Sequence, residues 1–229
     1  MPSRVPIWLC TLILIVLIWG NITIYRALYA PEVLLVNVLD VEQGRALLLR
    51  TPGGTTLLID TGKDASVLRA LGRELSVWQR HLDAVIMTSA TSDHAGGLPD
   101  VVKRYRVSTL FRSLAKGTYA QEKTIAAATI NIPVKILKRG DRLVTSDGIY
   151  IDVVWPPKEA SAMDSDEGAL LLRLSYGTTS VLIQNDLPLR ITKWLASSDA
   201  SLPPPILIIS STTPAGTYAF DTQTITRPR

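Results

Sequence analysis

The sequence contains very few side chains that bind transition metals. Its 229 residues include one cysteine, Cys10, and two histidines, His81 and His94. A single cysteine excludes both an intrachain disulfide framework and a cysteine-based zinc site. With so few imidazoles, a metal centre would depend largely on carboxylates, which suit magnesium or manganese better than tightly bound zinc.

Charge of either sign is also scarce. Lysine and arginine number 24 against 20 acidic residues, which gives a formal charge of +4. This small excess suits anionic lipid or nucleic acid but identifies neither. Hydrophobic residues make up 47% of the chain and the mean hydropathy is +0.22, values that indicate that part of the chain lies in lipid.

An uncharged apolar segment near the amino terminus is long enough to cross the hydrocarbon core of a bilayer. It covers residues 5–25 and lies between Arg4 and Arg26. We predict that residues 1–30 form an uncleaved signal anchor of a single-pass membrane protein, with the soluble domain outside the cytoplasm. A signal peptide cleaved after Ala30 is the alternative.

The rest of the chain alternates short strands with helices. Apolar residues at helical spacing predict a helix over 65–78, and Pro52-Gly53-Gly54 forms the turn of a hairpin. Further helices are predicted at 98–105, 123–129 and 189–195, and strands at 33–39, 46–50, 55–60, 82–87, 107–111, 134–137, 149–155, 169–176, 179–183 and 206–209. This order predicts an α/β domain of layered sheets flanked by helices. Residues 214–229 are expected to form an irregular tail.

Two segments carry a resemblance to a known family. They are VLDVEQGRALLLRTPGGTTLLIDTG and LDAVIMTSATSDHAGGLPDVV. Both resemble the metallo-β-lactamase-like domain of the ComEC DNA-uptake (competence) protein family, whose first segment usually reads leucine-aspartate-valine-glycine-glutamine-glycine-aspartate before a hairpin that ends in isoleucine-aspartate-threonine-glycine. The positions that match this pattern are Asp40, Gln43, Gly44, Asp60 and Gly62. Segments 140–157 and 170–186 are also similar to the family, so the likeness covers residues 33 to about 209.

The resemblance implies an αββα sandwich over residues 31–213, preceded by one transmembrane helix. Family domains continue through further helix and strand, so the domain is expected to be incomplete at its carboxyl end. An exposed sheet edge there would require a partner. The partners that the resemblance implies are the membrane, another membrane protein of a DNA-uptake system and nucleic acid.

The family holds one or two metal ions between loops that follow its strands. In the first loop Ser89 and Thr91 stand where histidine or aspartate ligands are expected, whereas Asp93 and His94 remain. The second loop retains a carboxylate, Asp186. The third has hydroxyl residues, among them Ser211, where the family has a histidine.

Asp93, His94 and Asp186 are therefore the candidate metal ligands. Asp40 and Asp60 are expected to support them from nearby. Arg45 stands where the family tends to carry aspartate, and its positive charge argues against a bound cation. His81 precedes a predicted strand and should lie at the opposite end of the domain.

The small number of ligands favours a membrane-anchored protein without catalytic activity, which has an accessory or binding role in DNA uptake and no cofactor. The alternative is a residual metal-dependent hydrolase of the phosphodiesterase or nuclease type, with zinc or manganese. A purely structural membrane protein is a third possibility. The remaining residues also have structural interpretations: Asp93 and His94 would hold the Gly96-Gly97 turn, and Asp60 would be a strand-end carboxylate. Lys103, Arg104 and Arg106 form either a basic strip or a solvated helix face.

Overall fold

The computed structural model describes residues 6–29, 33–156, 168–184, 207–209, 215–220 and 225–226. The chain divides into two compact units, 1–32 and 33–229. In the first unit, helix α1 (Ile7–Tyr29) contains the stretch Ile7–Tyr25, which is long and apolar enough to span a membrane. A signal sequence has the same length and composition.

The second unit consists of short helices and strands. The described helices are α2 (Ser66–Glu74), α3 (Ser92–Ala95), α4 (Leu98–Arg104) and α5 (Tyr119–Ala128). The described strands are β1 (Leu34–Val38), β2 (Leu47–Arg50), β3 (Thr56–Ile59), β4 (His81–Leu82), β5 (Ala84–Met87), β6 (Arg106–Val107), β7 (Leu110–Ser113), β8 (Val134–Leu137), β9 (Arg142–Val144), β10 (Tyr150–Trp155), β11 (Leu171–Tyr176), β12 (Thr179–Ile183), β13 (Leu207–Ile209), β14 (Gly216–Phe220) and β15 (Ile225–Thr226).

The strands form two main sheets and one small pair. The larger sheet has the order β15-β14-β1-β2-β3-β5-β7-β8, and the smaller has the order β13-β12-β11-β10-β9. β4 and β6 pair separately. In the larger sheet β1 and β3 are both antiparallel to β2, while β3, β5, β7 and β8 are parallel. β1 therefore runs in the same direction as these four strands, and all five begin at the same end of the sheet, called here the amino end.

Alternating side chains divide the core between the two faces of the larger sheet. Leu47 and Leu49 of β2 pack toward the smaller sheet, whereas Leu48 packs in the cluster that contains α2 and α4. In β5, Ile86 likewise packs toward the smaller sheet, and Val85 packs in the cluster that contains α2 and α4. The described residues thus form a helix layer and two sheet layers, in agreement with the predicted layered α/β fold.

Several sequence predictions differ from the structure. The helix predicted over 123–129 begins at Tyr119, because Thr118 and Gln121 form a capping box at its start. The helix predicted over 65–78 ends at Glu74, because Leu75 is extended and its N–H closes the last turn on Leu71. The tail predicted to be irregular contains β14, which pairs with β1 along its whole length. The predicted helix at 189–195 lies outside the described residues.

Candidate functional site

Three loops meet at the end of the larger sheet opposite to its amino end. They follow β1, β3 and β5, and backbone hydrogen bonds connect them. The Thr61 N–H donates to the carbonyl of His94 at 2.7 Å, and the Gly62 N–H donates to the carbonyl of Arg45 at 2.7 Å. The Arg45 N–H donates to the carbonyl of Asp93 at 3.0 Å. These bonds bring the predicted site segments of the first half of the domain together.

The loops approach each other so closely that several positions require glycine, among them Gly44 and Gly97. Gly44 has a φ of +81°, and a Cβ there would lie 2.0 Å from the backbone oxygen of Asp93. A Cβ on Gly97 would lie 2.3 Å from the backbone oxygen of Thr61. Since such contacts are far shorter than van der Waals distance, a side chain at either position would push the loops apart.

Asp60 is the centre of a buried hydrogen-bond network. It directly follows β3, has a φ of +60° and is fully buried. Its Oδ1 accepts from the Thr88 N–H at 2.8 Å, and its Oδ2 accepts from the Thr88 hydroxyl at 2.6 Å. The carboxylate thereby joins the ends of β3 and β5. The sequence predicted that Asp60 lies near the site, but it did not indicate a role for Thr88. The one feature of the sequence that could have pointed to Thr88 is its position directly after a buried strand.

His94 completes this network. Its Nδ1 lies 3.0 Å from Oδ2 of Asp60, and its side chain is only 7% exposed. When Nδ1 carries the proton and donates to Asp60, Nε2 remains as an acceptor or metal ligand. A carboxylate that orients a histidine in this way is the usual support of a metal-bound imidazole.

Ser89 and Thr91 interact with each other. Their hydroxyl oxygens are 3.3 Å apart, and the Thr91 N–H donates to Ser89 Oγ at 3.2 Å. Beside them is a cavity of about 230 Å³. Its wall includes Ala90, Thr91, Ala95, Gln121 and Ile125 and contains no carboxylate.

Arg45 brings a positive charge into the site. Its residue is 7% exposed, and Nη1 donates to the carbonyl oxygen of Gln184 at 2.8 Å. This bond connects the loop after β1 with the end of β12. A buried guanidinium at this point raises the local electrostatic potential and disfavours a cation nearby.

On the other side of the cavity, Arg112 of β7 binds Glu122 of α5. Its Nη1 and Nη2 donate to the two carboxylate oxygens at 2.8 and 2.7 Å. These hydrogen bonds are the largest cause that holds the pKa of Glu122 below its ordinary value. The N-terminus of α5 is fixed as well, because Thr118 and Gln121 form a capping box.

The metallo-β-lactamase superfamily matches residues 39–218 of the chain. The chain belongs to this superfamily. Two solved structures of a metallo-β-lactamase from Cronobacter sakazakii with mutated HARLDQ motifs are similar to the chain at 16% identity. Their TM-scores are 0.52 and 0.50; the matches cover 76% of this chain and 74% and 76% of theirs. MEM-A1, a subclass B3 metallo-β-lactamase from a soil metagenome, has a TM-score of 0.50 at 14% identity, with 76% and 75% covered.

No curated protein matches the chain. At these identities, the structural neighbours of the superfamily support the fold alone. The superfamily match spans all three converging loops.

The described residues alone do not supply a complete donor set for the metal centre that the superfamily implies. Within the described ranges no three His, Cys, Asp or Glu side chains are grouped closely enough to hold a metal ion. The side chain of Asp93 is exposed, while His94 is buried against Asp60. Asp186 and Ser211 lie outside the described residues.

Two other predicted residues lie away from this group. Asp40 was expected to support the site, but its side chain is 72% exposed and contacts Arg73 at 3.4 Å. It follows β1 by two residues, and this side-chain contact is with α2 and not with the buried network of Asp60. His81 lies in β4 at the amino end, 3.4 Å from Asp83.

Proposed function

We propose that this metallo-β-lactamase-fold protein is anchored in the membrane and has a degenerate metal site, so that it acts as a binding or accessory protein without hydrolase activity. The observation that carries this proposal is the pair Ser89 and Thr91. Their hydroxyls occupy the positions of two expected ligands and interact with each other. Hydroxyls are far weaker ligands for zinc than imidazoles are.

The buried guanidinium of Arg45 supports the same proposal. In the resembled family this position tends to hold an aspartate, which would favour a cation. Here the side chain instead bonds to the Gln184 carbonyl and holds two loops together. Because the Arg45 guanidinium already holds these loops together, the loops do not need a bound metal ion to converge.

A second candidate function is a residual metal-dependent hydrolase of the phosphodiesterase or nuclease type. The observation that favours it is the contact between His94 Nδ1 and Asp60. This contact orients the imidazole as in metal-bound histidines. Asp93, His94 and Asp186 would hold the ion, which would be zinc or manganese and would supply an activated water.

The proposed role is related to DNA uptake, through the likeness of the two motif segments to the ComEC family. The protein would then be a single-pass membrane protein with its domain outside the cytoplasm, and its partner would be another membrane component or nucleic acid. Blue-native electrophoresis after mild detergent extraction tests the protein partner. We expect a complex larger than the monomer, and a monomer alone would contradict this part of the proposal.

Metal analysis of the purified full chain in detergent tests the degenerate site. We expect substoichiometric zinc and manganese, and no cleavage of nucleic acid when either metal is added. Stoichiometric metal that is lost in a His94→Ala variant would refute the proposal and support the hydrolase.

A gain of metal binding provides the matched comparison. Thr91 stands where the resembled family carries a histidine or aspartate ligand, so Thr91→His restores an imidazole to the loop that contains Asp93 and His94. Three protein ligands then become available, the number that catalytic zinc sites usually have. We expect zinc content to rise in Thr91→His and to stay at the original level in Thr91→Val. Equal zinc in both variants would show that the missing imidazole is not what limits binding.

A further inference from the structure

The segment after α2 exposes two apolar side chains at the surface of the second unit. Because the helix ends at Glu74, Val77 and Trp78 do not continue its buried face. Val77 is 68% exposed and Trp78 is 89% exposed. Burial of an aromatic side chain normally contributes substantially to stability, so an almost fully exposed tryptophan suggests a contact outside the domain.

This segment lies at the amino end of the larger sheet, opposite to the candidate site. It leads through β4 into β5, and β1 begins at the same end because the two strands run in the same direction. The connection before β8 also lies there, and it exposes Ile130 at 82%.

Three arginines lie at the same end of the sheet as the exposed tryptophan. Arg80 lies next to Arg106, since the Arg106 N–H donates to the Arg80 carbonyl at 2.8 Å and β4 pairs with β6. Arg104 ends α4 at the same end of the sheet. All three side chains are exposed, and in the described part of the chain none of them takes part in an ion pair.

The acidic groups nearby are already paired. Asp83 lies 3.4 Å from His81 and accepts a hydrogen bond from the Thr56 N–H. Glu74 lies 3.7 Å from Arg50. The surface formed by Val77, Trp78, Arg80, Arg104 and Arg106, called here the Trp78 edge, therefore combines an apolar tip with unpaired positive charge.

We propose that the Trp78 edge binds the surface of an anionic lipid bilayer. Indole rings favour the headgroup level of a bilayer, and arginines near the surface are attracted by anionic lipids. The proposal rests on the membrane anchor of the proposed function, which would hold the domain on the same chain as a bilayer-spanning helix.

A fluorescent probe on the full-length chain tests this binding. In a Cys10→Ser background, Ser76→Cys carries an environment-sensitive label next to Trp78, and Tyr119→Cys carries the same label at the opposite end. Ser76 is exposed, and Tyr119 is 84% exposed, so neither change should affect folding. The chain is placed in nanodiscs of phosphatidylcholine, with or without phosphatidylglycerol. We expect a blue shift and quenching by spin-labelled lipid only for the label at position 76 in anionic discs.

Three further variants separate the apolar contribution to binding from the electrostatic one. Trp78→Ser should abolish the shift. Arg104→Gln and Arg106→Gln should each lower the ratio of lipid-bound to unbound Trp78 edge about five-fold, because one basic residue near an anionic surface contributes about that factor. A label at position 76 that stays aqueous in anionic discs, or a shift that survives Trp78→Ser, would overturn the proposal. A shift that requires added DNA instead of phosphatidylglycerol would also overturn it and would assign the surface to nucleic acid.

The same preparation separates this proposal from the anchor. Incorporation of the chain into nanodiscs, read by size-exclusion chromatography, reports on the anchor alone. If the chain does not enter the discs, the anchor is wrong, and the label at position 76 then tests binding to added anionic vesicles. No shift with those vesicles would refute the binding surface as well.

Discussion

Replacement of the buried carboxylate at position 60 is the strongest test of how the site loops are held. Asp60→Ala leaves two fixed donors, the Thr88 N–H and the His94 Nδ1–H, without an acceptor in a buried environment. Each such donor costs about 2 kcal/mol, so the two together cost about 4 kcal/mol. The φ of +60° at this position adds about 1 kcal/mol, because alanine tolerates the left-handed region less well than aspartate does.

The expected total for Asp60→Ala is therefore about 5 kcal/mol. For a domain of this size, 1 kcal/mol corresponds to about 2–4 °C, so the melting temperature should fall by about 10–20 °C. Asp60→Asn keeps one acceptor oxygen and tolerates the same φ, and it should cost only about 1–2 kcal/mol. Thermal unfolding of the full chain in detergent, followed by near-ultraviolet circular dichroism, measures both variants.

Asp40→Ala provides the matched control, since it removes a carboxylate from the neighbouring loop. That carboxylate is exposed and contacts one arginine at 3.4 Å, an interaction worth about 0–1 kcal/mol. The control should therefore melt close to the unmodified chain. If Asp60→Ala lowers the melting temperature no more than Asp40→Ala does, the buried network does not stabilise the loops as argued.

Three other predictions concern the same region. Gly44→Ala should destabilise the fold by about 2 kcal/mol or more, through its clash and its positive φ; an unchanged melting temperature would show that the loops separate easily. Glu122→Gln should lower the melting temperature at neutral pH. The difference between variant and unmodified chain should disappear as the pH falls through the lowered pKa of Glu122, because protonation ends its attraction to Arg112. A difference that does not depend on pH would contradict this. Addition of a chelator should leave the melting temperature unchanged, whereas a bound metal would make it fall.

The sequence predicted the strands of the core more accurately than the ends of the helices. The bounds predicted for β8 and β12 agree with the structure, because short apolar or alternating runs are local signals. The helix α2 was predicted too long, since Leu75 and Trp78 continue its apolar spacing although the backbone is already extended at Leu75. β14 was missed because its pairing with β1 is a long-range contact that no local pattern encodes.

For the site, the sequence identified residues but not their contacts. Asp60 and His94 were both candidates, yet they are 34 positions apart, and only the convergence of two loops brings them to 3.0 Å. The interpretation of Arg45 as a charge reversal was available from the sequence. Its bond to Gln184 was not, since it joins residues 139 positions apart. Long-range polar contacts of this kind depend on the packed fold and leave no periodicity in the sequence.

Under the proposed degenerate metal site, the contacts between the loops explain how the fold would persist without a full set of metal ligands. In many metal sites the ion itself holds the ligand loops together, so the loss of ligands also destabilises the fold. Here the loops are joined by backbone bonds from Thr61, Gly62 and Arg45, by the carboxylate of Asp60 and by the guanidinium of Arg45. Each of these bonds contributes roughly 1 kcal/mol or more whether or not an ion is bound. The atoms that hold the loops together differ from those that would bind a metal ion. In the proposed degenerate site, hydroxyls at positions 89 and 91 would therefore remove ligands without weakening the contacts between the loops.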